Sequence, residues 1–312
     1  MDNTVNTVNT VNTANLEKVK KPIWQKILDF PLVPIVEILP LLVLGKYVGT
    51  FIANLFRFFV NEQNIDSVRF LAGQFATAGV VIVQILYMWL VKPHRPMLKT
   101  LGRKIPGNNM KLAIIGLLVG LLMNVSAIMV ALVNKNVSFH IGGGSIIMFI
   151  LFFIAIIFQA SNEEILCRCF LYHRFNKIFK RPAVAMFIAS TLFGFLHLLN
   201  PGVSPLAIIN VILAGLWLGL LMYCFDSIWM AIAAHLGWNY SQSIIFGLPN
   251  SGNASAFSLF KYDMASATNS FAYNVDFGVE GTVFVCIMLL VIDCGLIVYA
   301  ITKKKQPTDI WK

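Results

Sequence analysis

The sequence predicts an all-α, polytopic membrane protein of about eight transmembrane helices. Its residues are 58% hydrophobic and 12% charged, whereas charged residues make up about 25% of an average soluble domain. Several apolar runs reach the roughly 20 residues that a helix needs to cross the hydrocarbon core of a bilayer. We place the eight spans at residues 33–59, 70–91, 111–133, 145–171, 183–199, 204–223, 227–247 and 281–301.

The net charge of +10 is concentrated on one side of this topology. An eight-span arrangement puts 18 of the 24 Lys and Arg residues on that side, in the segments 18–26, 92–111, 174–181 and 303–312. The positive-inside rule assigns such a side to the cytoplasm. We therefore expect both termini to be cytoplasmic, and the charge does not point to a nucleic-acid partner.

The chain divides into four parts. Residues 1–22 repeat Thr-Val-Asn and are predicted to be a disordered cytosolic tail. Residues 23–144 are expected to form an interfacial helix and the first three transmembrane helices. Residues 145–301 hold transmembrane helices four to eight, and residues 302–312 form a cytosolic tail at the C-terminus. The apolar residues that define the interfacial helix face are Ile23, Trp24, Ile27 and Leu28.

Two adjacent glutamates, Glu163 and Glu164, lie inside the fourth predicted span. An ionised carboxylate at bilayer depth costs roughly 2.5 to 3.5 kcal/mol on insertion scales, so each needs a partner, a water-filled cavity or a shared proton. Arg168 lies one turn after Glu164 and can form an ion pair with it. Such a pair would have a structural role. Glu163 has no such cation nearby in sequence, which makes it the candidate catalytic residue.

Histidines occur in two further spans. His197 shares a helix face with Phe193 in the fifth span, and His235 shares one with Asn239 in the seventh. A single buried histidine is more often a hydrogen-bonded packing residue than a catalyst. Together with Glu163, however, the two imidazoles are what either metal-free acid–base hydrolysis or a His₂Glu zinc site requires.

Other intramembrane chemistries lack their motifs in this sequence. No Gly-x-Ser-Gly stands before a span with a histidine partner, and the His-Glu-x-x-His helix of common zinc peptidases is missing. Asp293 is the single aspartate deep in a predicted span, so an aspartyl dyad has no second member. The five cysteines have no Cys-x-x-Cys spacing, which argues against a disulfide framework and against a thiolate metal site.

Three short motifs resemble those of the CAAX protease and bacteriocin-processing family, also called Abi. They follow in the family's order on three separate predicted spans. The motifs are the EExxxR stretch Glu163-Glu164-Ile-Leu-Cys-Arg168, the FxxxH stretch Phe193-Gly-Phe-Leu-His197 and the HxxxN stretch His235-Leu-Gly-Trp-Asn239. Residues 246–252 and 278–281 also resemble the segment that follows the third motif in bacterial members. The resemblance covers about residues 145–301, which would be the catalytic core.

The resemblance implies an intramembrane endopeptidase with a conical catalytic cavity open to the cytosol. In the glutamate mechanism of the family, Glu163 would be the general base that activates water, and Glu164 and Arg168 would organise it. The remaining roles would fall to His197 as proton donor or second water ligand and to His235 and Asn239 as donors to the oxyanion. Such a donor contributes about 3 to 4 kcal/mol.

A zinc-dependent version of the same hydrolysis would use Glu163, His197 and His235 as metal ligands, with a bound water as nucleophile. We prefer the version without a cofactor, because ligating imidazoles usually need second-shell acceptors and the sequence shows few of them. Activity that vanished on chelation and returned with zinc would reverse this preference.

The implied partners are the lipid bilayer and a membrane-associated peptide or protein substrate. The resemblance suggests CAAX-type processing, leader processing or bacteriocin self-immunity. The Asn- and Lys-rich composition is compatible with a low-GC bacterium, so we expect the protein in a bacterial cell membrane. Nothing in the sequence indicates a prenylated substrate. Functions of another class remain alternatives: a non-catalytic membrane scaffold or immunity protein, and a transporter.

Helix geometry conflicts with a single site shared by Glu163, His197 and His235. At about 1.5 Å per residue, Glu163 and His235 lie roughly 13 Å and 12 Å from the cytosolic ends of their predicted spans, but His197 lies about 21 Å from its own. Tilting the fifth helix recovers only a few ångströms. We therefore expect the fifth span to begin below the membrane surface, with part of residues 181–186 immersed.

Overall fold

The computed structural model describes residues 22–62 and 64–312, and these residues are mainly helical, as the sequence predicts. Apart from Pro22, the predicted disordered tail lies outside the described residues. Two short strands, β1 (Phe139–Ile141) and β2 (Phe260–Tyr262), pair antiparallel. The helices are α1 (Ile23–Leu28), α2 (Val33–Asn54), α3 (Ile65–Leu90), α4 (Met110–Val133), α5 (Ile146–Glu164), α6 (Tyr172–Phe179), α7 (Pro182–Phe195), α8 (Pro205–Phe225), α9 (Ile228–Tyr240) and α10 (Val283–Thr302).

Six helical segments in the described part of the chain are long and apolar enough to cross a membrane. They are Val33–Phe59, Ile65–Leu90, Met110–Val133, Ile146–Phe179, Pro205–Phe225 and Val283–Thr302. The predicted span 183–199 corresponds to the shorter helix α7, of 14 residues, and the predicted span 227–247 corresponds to α9, which continues directly into the π-helical turn Ser241–Ile245. Fourteen helical residues rise about 21 Å, less than a hydrocarbon core of about 30 Å. The chain is an all-α polytopic membrane protein.

Side-chain caps determine where three of the helices begin. Ser204, Ser227 and Thr282 each accept a hydrogen bond from the backbone N–H three residues later, at the starts of α8, α9 and α10. Pro182 and Pro205 occupy first-turn positions, where a missing N–H leaves no helical hydrogen bond unmade. These caps set the level at which α9 begins and therefore the level of His235.

Glycines allow α4 and α9 to approach closely. A Cβ atom at Gly120 would lie 1.8 Å from the carbonyl oxygen of Ala234, and one at Gly237 would lie 2.3 Å from that of Leu117. Such contacts between small residues are the common basis of helix packing in membranes. The α4 backbone therefore supports the stretch of α9 that carries the third motif.

A buried amide network holds the end of α9 against α4. Asn124 donates to Gln242 Oε1 at 2.6 Å, and Ser241 donates to Asn124 Oδ1 at 2.8 Å. Gln242 in turn donates to the Pro249 carbonyl at 2.5 Å. This network connects α4 to the π-helical turn Ser241–Ile245 and to the long connection that follows it.

We expect Gly237→Ala to destabilise the protein, because the added methyl would overlap the α4 backbone. Overpacking of this kind typically costs about 1–3 kcal/mol. The measurement is thermal unfolding of the purified protein in detergent. Gly295→Ala is the matched control, since no atom from outside its own helix backbone lies within 4 Å of a Cβ built at Gly295. Equal melting temperatures for the two variants would contradict the prediction.

Candidate active site

The two glutamates of the first motif lie in one long helical segment. α5 ends at Glu164, the π-helical turn Ile165–Leu171 follows, and α6 continues to Phe179. Adjacent helical residues point about 100° apart, so the two carboxylates have different surroundings. The Glu163 side chain is 23% exposed, whereas that of Glu164 is fully buried. π-Helical turns are frequent at functional sites, and this one lies directly beside the pair.

Glu164 forms the ion pair with Arg168 that their spacing predicts. Arg168 Nη1 donates to Glu164 Oε1 at 2.9 Å, and Arg168 Nη2 donates to the Gly215 carbonyl at 2.5 Å. The guanidinium also lies over the Phe193 ring, 5.0 Å from its centroid. Arg168 therefore connects the α5 segment to α7 and α8, and it neutralises a carboxylate that would otherwise be very costly to bury.

His235 lies between the two glutamates. Its Nδ1 is 2.9 Å from Glu164 Oε1, and its Nε2 is 3.6 Å from Glu163 Oε2. An ionised carboxylate only accepts hydrogen bonds, so the nitrogen that faces Glu164 carries the hydrogen. In the neutral imidazole, Nε2 is then the basic nitrogen, and it faces Glu163.

Amide side chains connect Glu163 to the third motif. Gln159 Nε2 donates to Glu163 Oε1 at 2.6 Å, and Asn239 Nδ2 donates to Gln159 Oε1 at 2.8 Å. Asn250 Nδ2 donates to Asn239 Oδ1 at 3.0 Å. Asn239 thus reaches Glu163 through Gln159, and one of its two amide hydrogens remains outside this chain of hydrogen bonds.

His197 lies two residues beyond the end of α7, in a turn. Its Nδ1 is 2.8 Å from the Phe193 carbonyl oxygen, which can only accept, so Nδ1 carries the hydrogen. The Phe193 ring makes edge contacts with both imidazoles, at centroid distances of 4.8 Å to His197 and 6.2 Å to His235. Phe193 therefore separates the two histidines within one site.

The predicted difference in depth between Glu163 and His197 depended on where the fourth span was expected to end. The helical segment that carries Glu163 continues to Phe179 rather than 171, so Glu163 lies about 24 Å along the helix from that end. His197 lies about 22 Å from the start of α7. The predicted end at residue 171, on which the difference in depth rested, is therefore wrong, and both residues line one cavity.

The candidate residues meet at one cavity of about 630 Å³. Glu163, His197, His235 and Asn239 contribute to its wall. Glu164 and Arg168 are buried behind it and hold the residues that face the cavity. The three motifs, which lie on different helices, are thus brought together around one space.

Gln159 and Glu280 also face this cavity, although neither belongs to one of the three motifs. Gln159 lies one helical turn before Glu163, and a polar residue at that spacing in an apolar span was a signal that could have been used. Glu280 lies in the segment 278–281, where a resemblance was noted without a function. The Glu280 side chain contacts residues that are far away in the chain, so no local sequence pattern predicts these contacts.

Glu280 is held by three hydrogen bonds. Its Oε1 accepts from Trp238 Nε1 at 2.9 Å, and its Oε2 accepts from the Ser251 backbone N–H at 2.5 Å and from the Ser251 hydroxyl at 2.9 Å. Burial raises the pKa of Glu280 above its ordinary value, while these hydrogen bonds and the nearby His197 act in the opposite direction. Glu280 therefore fastens the loop at residues 250–253 to α9.

Glu280→Gln should loosen that loop, because an amide nitrogen cannot accept from the Ser251 or Trp238 donors. A lost hydrogen bond to a charged group is worth about 1.5–3 kcal/mol. We expect faster hydrogen exchange at the Ser251 amide, measured by mass spectrometry. Asp263→Asn is the control, since Asp263 is an exposed carboxylate in the same connection. Unchanged exchange at Ser251 would show that Glu280 does not hold the loop.

The cavity opens at one end of the helix bundle. Its rim includes Asn200, Ser251 and Asn253, which lie in the connections 196–204 and 246–282. No lining residue in the described chain comes from the basic connections 91–109 and 303–312. The rim therefore belongs to the end of the bundle that carries few basic residues, and the expected opening to the cytosol stays a prediction.

The zinc alternative requires Glu163, His197 and His235 to converge on one point. Among residues 22–62 and 64–312, no group of three or more His, Cys, Asp or Glu side chains is arranged to hold a metal ion. The expectation that the imidazoles lack second-shell acceptors is wrong. The Phe193 carbonyl oxygen is the acceptor for His197, and Glu164 is the acceptor for His235. The choice between the zinc version and the metal-free version therefore rests on the chelation experiment.

Comparison with known families gives one match. Residues 145–241 match the family described as Rce1-like, type II CAAX prenyl endopeptidase. Comparisons with curated proteins and with solved structures give no match. The matched stretch runs from the start of α5 to the end of α9, so it includes every residue of the three motifs. The match to residues 145–241 supports membership of the CAAX protease family.

Proposed function

We propose that the protein is an intramembrane endopeptidase in which Glu163 activates the water that attacks a peptide bond. One observation carries this proposal: the Glu163 carboxylate faces the cavity, while its neighbour Glu164 is buried and paired with Arg168. A base must be reachable by water and substrate, and Glu163 alone of the two meets this condition. The family match supports a membrane endopeptidase in general.

Glu163 and His235 together form a path for the proton. Glu163 takes a proton from the attacking water, and His235 Nε2, 3.6 Å from Glu163 Oε2, is placed to receive it next. The imidazolium that results is stabilised by Glu164 at Nδ1. His235 can then donate a hydrogen bond to the oxyanion, or a proton to the leaving amine.

Asn239 and His197 complete the proposed site. The Asn239 amide hydrogen that does not contact Gln159 is a donor for the oxyanion. His197, with its Nδ1–H on the Phe193 carbonyl, has Nε2 as the nitrogen that can hold water or exchange a proton. These two roles follow the resemblance and agree with the position of both side chains on the cavity wall.

The experiment is an assay of the purified protein in detergent with single-span membrane peptides in heavy-oxygen water. Hydrolysis should yield two products, with one heavy oxygen atom in the new C-terminal carboxylate, detected by mass spectrometry. Activity should persist after exhaustive chelation. Loss on chelation with recovery on added zinc would replace glutamate-activated water by the metal version. No labelled product from any peptide would contradict an endopeptidase.

A further inference from the structure

Gln159 connects the first motif to the third. From α5, its Nε2 donates to Glu163 Oε1 at 2.6 Å, and its Oε1 accepts from Asn239 Nδ2 on α9 at 2.8 Å. Glu163 is the proposed base, and Asn239 is a proposed donor to the oxyanion. One amide side chain therefore contacts, at its two ends, the group that activates water and a group that stabilises the charge formed by its attack.

The carboxylate at the end of this chain of hydrogen bonds determines the direction of each bond. An ionised carboxylate only accepts, so the Gln159 atom that faces Glu163 is the nitrogen, and the Gln159 oxygen faces Asn239. The Asn239 nitrogen must then face Gln159, while the Asn239 oxygen accepts from Asn250 Nδ2 at 3.0 Å. The remaining amide hydrogen of Asn239 is left for the cavity, and a hydrogen-bond donor is what an oxyanion requires.

The same contact separates the two oxygens of the Glu163 carboxylate. Oε1 is held by Gln159, whereas Oε2 lies 3.6 Å from His235 Nε2. The Glu163 side chain is partly exposed, so without Gln159 it would be free to turn within the cavity. A hydrogen bond to an ionised acceptor is roughly twice as strong as one between neutral groups, which makes Gln159 an effective restraint on this rotation.

The other end of the amide chain lies in the loop at residues 250–253. Asn250 and Asn253 exchange backbone hydrogen bonds of 3.0 and 2.9 Å, and Ser251 between them is held by Glu280. Asn250 therefore has a defined position from which it can orient the next amide. The chain begins at a fastened loop and ends at the proposed base.

We propose that Gln159 is a positioning residue of the site, which orients the Glu163 carboxylate toward its water and the Asn239 amide hydrogen toward the substrate carbonyl. This inference rests on the proposed function and adds a residue outside the three motifs. Gln159 acts through Glu163 and Asn239 and does not touch the reacting atoms. A glutamine between two membrane helices can also serve only to hold the helices together, and the two roles predict different kinetics.

Gln159→Met tests the inference, because methionine has a similar length and makes neither hydrogen bond. We expect kcat for a hydrolysed peptide to fall about 10–10²-fold, since a displacement of about 1 Å can cost about 10²-fold. KM should stay within about threefold of the wild type, because the lost interactions orient groups that act in the transition state. Should Gln159→Met fail to fold, Gln159→Asn replaces it, since an amide one methylene shorter cannot reach both partners.

Gln84→Met is the matched control for a purely structural role. Gln84 is a buried glutamine on α3, and its Nε2 donates at 3.0 Å to Asn162 Oδ1, on α5 but outside the three motifs. This variant should keep kcat within about threefold of the wild type, whatever its melting temperature. Equal losses of kcat in Gln84→Met and Gln159→Met, or a change in KM alone, would overturn the inference.

The nuclear magnetic resonance spectrum of the Gln159 side-chain amide gives a test that needs no activity. In protein labelled with heavy nitrogen at glutamine, its signal is assigned by its disappearance in Gln159→Met or Gln159→Asn. One amide proton should lie downfield of ordinary glutamine amide protons, because its acceptor is ionised. Glu163→Gln should move this signal upfield, and Glu62→Gln, at an exposed glutamate, should leave it in place.

The two measurements separate this inference from the proposed function. A Gln159 signal at the ordinary position that does not respond to Glu163→Gln would overturn the inference, even in a protein that hydrolyses peptides. If the purified protein hydrolyses no peptide, the proposed function fails, and the spectrum then decides by itself whether Gln159 holds the Glu163 carboxylate.

Discussion

Glu163→Gln should reduce peptide hydrolysis about 10²–10⁴-fold, the contribution typical of a positioned general base. Glutamine preserves the shape of the side chain and can still accept from Gln159 at Oε1, but it cannot take a proton from water. The partly exposed position of Glu163 means that the charge is not needed to balance a buried cation. We therefore expect a folded but inactive protein, measured as the rate of product formation at a fixed peptide concentration.

The matched control for this prediction is Glu62→Gln, which changes an exposed glutamate in a connection away from the cavity. That variant should keep the wild-type rate. Melting temperatures of both variants should lie within a few degrees of the wild type. A Glu163→Gln protein that retains most of its activity would rule out Glu163 as the base, and the scaffold and transporter alternatives would then regain weight.

Arg168→Met should be the most destabilising of the substitutions considered. It removes the hydrogen bonds to Glu164 and to the Gly215 carbonyl and leaves a fully buried carboxylate without its cation. Breaking one side of a buried ion pair typically costs about 3–5 kcal/mol. Activity should fall as well, because Glu164 also orients His235. The measurements are thermal unfolding in detergent and the rate of hydrolysis.

Two further variants make this prediction decisive. Arg57→Met, at an exposed arginine, should unfold like the wild type. The double variant Glu164→Leu and Arg168→Met removes both charges together, so it should recover part of the lost stability while remaining inactive. A single Arg168→Met variant as stable as the Arg57→Met control would show that the pair contributes nothing to the fold.

Local patterns in the sequence predicted much of the helical architecture. Runs of apolar residues located eight helical segments, and i,i+4 spacing predicted the Glu164–Arg168 contact that the structure contains. Helix ends were predicted less well. The fourth span continues to Phe179, eight residues beyond its predicted end, because polar residues such as Arg174 are buried in the bundle and do not end the helix.

The remaining features of the site depend on contacts between distant parts of the chain. The position of His235 between the two glutamates depends on how α9 packs on α4 and α5. The hydrogen bonds of Glu280 depend on a loop that begins some thirty residues earlier in the chain. Neither contact has a periodic signal, so neither could have been predicted from hydropathy or spacing.

The sequence by itself determined the membrane character, the helical class and the residues able to carry acid–base chemistry, because apolar length, charge and side-chain type are local properties. Only the tertiary structure decided that Glu163 faces a cavity while Glu164 does not, and that this cavity has its rim at the end away from the basic connections. Exposure and direction are properties of packed helices, since they depend on which neighbours cover each face.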